Sequence, residues 1–203
     1  MSGLPTPQEV LDYWIGDAAH SPEAAGEKHK LWFGKSDETD AEIRERFLPL
    51  LEVLSHLPAA EDWAGRGPRE RLAAIIVLDQ FSRNLFRGEA RAFTQDGLAL
   101  LLCRDGLALG QDKGLTEAER IFFYLPLEHS EAPEDQERSV AMFTDLLVES
   151  REGFRSLIES TLQYSKAHKE AIDQFGRFPH RNAALGREST EEEQEWLAEG
   201  GGF

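Results

Sequence analysis

"SDETDAEIRERFLPLLEVL" occupies residues 36–54 and decides the fold class. Ile43, Phe47, Leu50, Leu51 and Leu54 recur three or four residues apart, which lines them along one face of a helix. Acids crowd the first turn, where they complement the positive end of the helix dipole. The pattern repeats in both directions from there. "TPQEVLDYW" (6–14) sets Thr6 as N-cap, Pro7 at the first helical position and Glu9 to close a capping box. Residues 69–81 carry Leu72, Ile75, Ile76 and Leu78. After the irregular "RNLFRGEARAF" (83–93), residues 96–109 resume the helical period.

"TEAERIFFYLPLEH" (116–129) opens on a second capping box, Thr116 with Glu119, and contains Pro126, which is expected to kink or end that helix because its ring removes a backbone donor. "PEDQERSVAMFTDLLV" (133–148) and "FRSLIESTLQYSKAHKEAIDQF" (154–175) are amphipathic, and Ser189 or Thr190 caps a last helix that reaches Trp196 and Leu197. About eight helices with short connections predict antiparallel helix pairs in an all-α fold. No Ser/Gly-rich linker divides the chain, so residues 1–203 are read as a single domain. Gly200 to Gly202 read as a flexible tail unless Phe203 docks.

Composition excludes some function classes. The 203 residues are 40% hydrophobic and 30% charged, enough apolar content for a real core. A net charge of -16 repels a phosphate backbone and an anionic lipid surface, so neither nucleic acid nor membrane is an expected partner. Any anion must be drawn by a local cationic site. Cys103, the single cysteine, lies in a leucine-rich helical stretch and reads as a small buried hydrophobe. "MSGLPTPQEV" lacks the marks of a secretory signal, and no apolar run approaches the roughly 18 residues a span needs, so the expected location is cytoplasmic.

Against that acidic background the basic loops stand out. "FGRFPHRNAALGREST" (175–190) holds Arg177, His180, Arg181 and Arg187 between two helical patterns. "LDQFSRNLFRG" (78–88) and "IDQFGRFPHRNAALG" (172–186) share Asp-Gln-Phe, any residue, Arg, and each ends an amphipathic helix. If helix pairs stack as quasi-repeats, the two loops fall on one side of the array with their arginines near one another.

Three motifs in order, "LDQFSRNLFRG", "FYLPLEHSEAPEDQERSV" and "FGRFPHRNAALGREST", resemble the bacterial family known as domain of unknown function 924, from about residue 8 onward. Ser82 departs from that family's pattern, which usually has proline there. The resemblance implies a tetratricopeptide-like helical array and supplies no catalytic residues.

The residues themselves nominate a site. Arg83, Asn84 and Arg87 come from the first loop, His129 and Glu131 follow the Pro126 break, and His180, Arg181 and Asn182 come from the last loop. Guanidinium forks grip carboxylate or phosphate bidentately, so three such loops meeting would bind a small anionic molecule or a peptide carboxylate. An alternative is a hydrolase-like enzyme with His129 and His180 as acid and base and Glu131 as orienter or acid. A third is a scaffold for a protein partner, in which the arginines only lock helix ends against nearby acids.

No metal and no cofactor are expected. No two histidines have the spacing that pairs ligands on a helix face, and "FGKS" (33–36) fails the phosphate-loop pattern because His29 stands where glycine is required.

Overall fold

The computed structural model describes residues 3–203, and among them there are helices and no strands. The α-helices are α1 Pro7–Trp14, α2 Pro22–Phe33, α3 Asp37–Leu54, α4 Leu57–Arg66, α5 Pro68–Ile76 and α6 Ser82–Leu85. After these come α7 Asp96–Ala108, α8 Glu117–Glu128, α9 Pro133–Glu149, α10 Arg155–Phe175, α11 Asn182–Leu185 and α12 Glu191–Ala198. A π-helical turn, Val77–Phe81, joins α5 to α6 without a break. Counted with α5, π turn and α6 as one, the described residues form eleven helices rather than about eight. The surplus is α2, α4 and α11: α2 buries only Ala25 and Trp32 and α11 spans four residues, so neither gives a clear apolar stripe.

The caps form where the sequence places them. Thr6 and Glu9 close one reciprocal box, Thr116 and Glu119 a second, and Thr190 with Glu193 a third, so Thr190 and not Ser189 is the last N-cap. Gly176 sits at φ 67°, left-handed, and ends α10 at little steric cost. Proline breaks neither helix that contains it: α3 runs through Pro49 and α8 through Pro126 to Glu128. In α8 the surrounding burial holds the backbone helical despite the lost hydrogen bond.

Two helices form the centre. All twelve residues of α8 are buried, as are Arg71 to Phe81 of α5 and its π turn. A helix wrapped on every side needs apolar residues all round, which "IFFYLPL" supplies. Helix α5 packs on α1, α4, α7 and α8, while α8 packs on α9, which pairs in turn with α10. One apolar core runs from Val10 to Leu162, and Ala171, Ile172 and Phe178 form a small satellite with Trp196. Each fully buried Phe or Leu stabilises by about 1.5–3 kcal/mol relative to exposure. Cys103 is fully buried, and burial pushes its thiol far above the ordinary range, so it is an inert core residue. No helix of the described residues is long and apolar enough to cross a membrane.

Candidate functional site

The C-terminal ends of the two central helices meet at one place. Five residues of the π turn carry Asp79 into the core, where its side chain is entirely buried; such insertions recur at functional sites. His129, the C-cap of α8, brings Nδ1 to 2.7 Å from Asp79 Oδ1. Arg83, one turn beyond, lies 3.1 Å from the same oxygen and grips Asp96 with two hydrogen bonds of 2.9 and 3.1 Å. Arg181 donates to Asp96 Oδ2, an oxygen that Arg83 also bonds, at 3.2 Å and to the His129 carbonyl at 3.0 Å. Two guanidiniums therefore share Asp96. Arg87 chelates Asp40 through two bonds of 2.8 Å, and Asn84 donates to that carboxylate as well.

The arginines, Asn84 and His129, though not the aspartates that hold them, border a cavity of about 520 Å³. Of the candidate residues named from the sequence, Arg83, Asn84, Arg87, His129, His180 and Arg181 line it. Asn182 and Glu131 do not. The Asn182 side-chain amide donates to Ser189 and Glu193 and accepts from Arg187, fastening the loop to α12. Glu131 takes two hydrogen bonds from Arg187 and one from the Phe178 amide, which anchors the loop to the end of α8. Arg177 pairs with Glu193. Loop 175–190 thus holds mostly the protein's own carboxylates, and only His180 and Arg181 turn toward the cavity.

The repeated Asp-Gln-Phe words are not structural equivalents. In the first, Asp79, Gln80 and Phe81 are buried within the π turn; in the second, Asp173 and Gln174 are exposed at the end of an ordinary α-helix. The arginines of the two loops do come together, yet the partner of Arg83 is Arg181 and not Arg177, its counterpart in the repeat.

Several lining residues escaped the sequence reading. His168 and Glu128 are the main ones, 5% and 3% exposed. His168 Nδ1 lies 2.8 Å from the Tyr164 carbonyl and 3.3 Å from Glu128 Oε1, and its ring stacks on Phe203 at 3.6 Å. Their signals were present. Glu128 ends an otherwise apolar run, and His168 falls on the buried stripe of α10 with Ile158, Thr161, Ser165 and Ile172. Phe203 does dock: a Cβ at Gly201 would collide with the Trp196 ring, so the glycine run lets the chain fold back over the cavity. Trp32 and Phe33 also line the cavity.

Burial controls the electrostatics. Burial alone would raise the Asp79 carboxyl, but Arg83 and His129 outweigh it and hold the group well below the carboxylate range. Burial, then Arg83, lowers His129 against the pull of Asp79, so the ring is neutral near pH 7 with its Nδ1–H donating to Asp79. Burial, then Arg181, takes His180 down to about 4; burial, then His129, takes His168 down to about 2. Burial, helped by Asp79, pushes Glu128 up to about 8. Arg181 falls to about 10 through burial and the neighbouring Arg83, the mark of a cation incompletely compensated by Asp96. Its Nε is buried without a hydrogen-bond partner. Among the described residues no group of three or more His, Cys, Asp or Glu is arranged to hold a metal ion.

An all-helical chain with an arginine-bordered cavity at the ends of its two central helices is the class that fold and site define. The chain belongs to the family described as "Bacterial protein of unknown function (DUF924)", whose model matches residues 10–201. It is similar in structure to a protein of unknown function from Agrobacterium tumefaciens, with a TM-score of 0.77 and 30% identity over 95% of this chain and 97% of that one. No curated protein matches it.

Proposed function

We propose that the protein binds a small anionic molecule, or the carboxylate of a peptide, in this cavity. One observation carries the reading. Arg83, Arg87 and Arg181 line the cavity, whereas the carboxylates that hold them, Asp40, Asp79 and Asp96, are absent from its lining. Carboxylates behind the guanidiniums fix the forks in place and leave their charge on the open side, a preorganised anion site. The unpartnered Arg181 Nε adds an unused donor. Asn84, His129 and His180 are the neutral hydrogen-bonding neighbours, and Asn182 acts indirectly by setting the loop. About 520 Å³ falls within the range of small-molecule sites.

A tetratricopeptide-like array is part of the proposal; the serial pairing of α8 with α9 and α9 with α10 supports it. So are a single domain, supported by the continuous core, and a cytoplasmic setting, supported by the lone buried cysteine. The scaffold reading draws support from the carboxylate pairing of each motif arginine, but it gives no role to the cavity beside them.

A second reading is enzymatic. The Asp79–His129 contact at 2.7 Å fixes the tautomer and leaves Nε2 with the lone pair of a general base, with His180 in the same lining and the arginines as electrophilic neighbours. Glu131, committed to Arg187, has no part in that chemistry. Turnover that survived in a His129→Ala, His180→Ala double variant would remove it.

The binding reading is tested by thermal shift with carboxylates, phosphorylated metabolites and short peptides bearing free C-termini. An anion at about 100 times its Kd stabilises by about 2.7 kcal/mol, or roughly 5–10 °C here, and Arg87→Ala is expected to abolish the shift. No shift from any anion would count against the site.

A further inference from the structure

Among the described residues Glu128 is the one carboxyl side chain in the lining, and none of the three arginines around the cavity bonds to it. It is 3% exposed, and its Oε2 is buried with no hydrogen-bond partner. Its other oxygen has only His168 Nδ1 at 3.3 Å, a proton already given to the Tyr164 carbonyl at 2.8 Å. The hydroxyl of Thr161 is likewise spent on the Leu157 carbonyl. A buried carboxyl left so poorly partnered costs stability, and a cationic donor from outside the chain would satisfy both oxygens once the group gives up its proton.

Its position relative to the guanidiniums limits what that donor is attached to. Arg181 is bonded to the carbonyl of His129, the residue adjoining Glu128, so acid and cation border the same stretch of wall. Beside them one part of the lining is apolar and aromatic, Trp32, Phe33, Phe93, Leu125 and Leu157, while Gln80, Ser160 and Thr161 keep the remainder polar. Phe33 and Phe203 are 48% and 47% exposed, and the Phe203 ring lying flat on His168 shows that this wall accepts an aromatic face.

We infer that the ligand is a zwitterion, an α-amino acid with an aromatic or large apolar side chain, whose carboxylate meets the arginines and whose ammonium meets Glu128. This inference rests on the anion-cavity reading and goes beyond it by giving the cavity a cation-binding pole. An ammonium supplies donors to both Glu128 oxygens, and the side chain replaces or joins Phe203 against the aromatic wall. The volume of about 520 Å³ leaves room for such a molecule.

Calorimetric titration of the full chain at pH 8 with L-phenylalanine, 3-phenylpropionate and phenethylamine separates the poles, because the three probes share one ring. Phenylalanine is expected to bind at least tenfold more tightly than either analogue, and Glu128→Gln is expected to bring it down to the level of 3-phenylpropionate while leaving that acid unchanged. Equal binding of phenylalanine and 3-phenylpropionate to the natural chain would refute the zwitterion and leave the anion cavity standing. A phenylalanine preference that persisted in Glu128→Gln would refute the assignment of the ammonium to Glu128. Failure of all three probes to bind would overturn the zwitterion, and failure of every anion in the thermal-shift screen as well would overturn both readings.

Discussion

Replacing Glu128 by Gln should stabilise the protein, and by an amount that grows with pH. Glu128 is buried in the folded chain with its pKa pushed up to about 8, whereas an unfolded Glu titrates near its ordinary value of 4.5. The folded state therefore holds the proton more tightly. Its contribution is fully present below the unfolded pKa and is lost as pH rises toward the folded one. Each unit between the two values is worth about 1.4 kcal/mol, so the ionisable side chain costs under about 1 kcal/mol at pH 5 and about 4 kcal/mol at pH 7.5. Glutamine cannot ionise and keeps the shape and hydrogen-bonding capacity of the neutral acid. Urea unfolding of both proteins at pH 5, 6, 7 and 7.5 should show the gap in free energy widening by about 3 kcal/mol in favour of Gln across that span. Other titrating groups cancel when the two proteins are compared at one pH. A gap that stayed constant would mean that Glu128 is ionised and compensated, and the account of this end of the cavity would be wrong.

The opposite sign is expected at Asp79. Asp79→Asn leaves the half-buried Arg83 short of a carboxylate and the His129 ring without its charged partner, and should cost about 3–5 kcal/mol in urea unfolding at pH 7. That carboxyl is held below its unfolded value, so its stabilisation is present at neutral pH and lost only as pH falls into the acid range. Arg187→Ala removes the two hydrogen bonds to Glu131 and should cost about 1–3 kcal/mol, with faster amide exchange in residues 178–198 and little change in α8. Equal acceleration across the whole chain would show that the loop is not a separately fastened unit.

Much of the fold is local chemistry and so can be read along the chain. Capping boxes at Thr6, Thr116 and Thr190 need residues only three positions apart, and the amphipathic stripes of α3 and α10 need only a helical period. The basic loops were visible for the same reason, because helix ends concentrate polar residues. What the arginines hold was not visible. Arg87 finds Asp40 across 47 positions and Arg181 finds Asp96 across 85, and no local rule selects those acids over the others in so acidic a chain. The π turn that carries Asp79 inward has no sequence period of its own, which is why two Asp-Gln-Phe words that look alike lie in opposite environments. Pro126 misled for a related reason: its local cost is real, but α8 is buried from end to end, and tertiary packing overrides it. Glu128 and His168 were legible only as anomalies, polar residues at positions where the helix pattern calls for apolar ones.

The central claim is that Arg83, Arg87 and Arg181 present their charge to a ligand as well as to the acids behind them. A crystal of the protein soaked with 4-iodobenzoate tests it most directly, because the anomalous signal of iodine locates the molecule without reference to any assay. The account predicts a peak inside the cavity, with the carboxylate in contact with at least one of these guanidiniums and the ring toward Trp32 or Phe203. A cavity empty of iodine at a concentration that labels other surfaces, with each guanidinium still closed on its own aspartate, would contradict it.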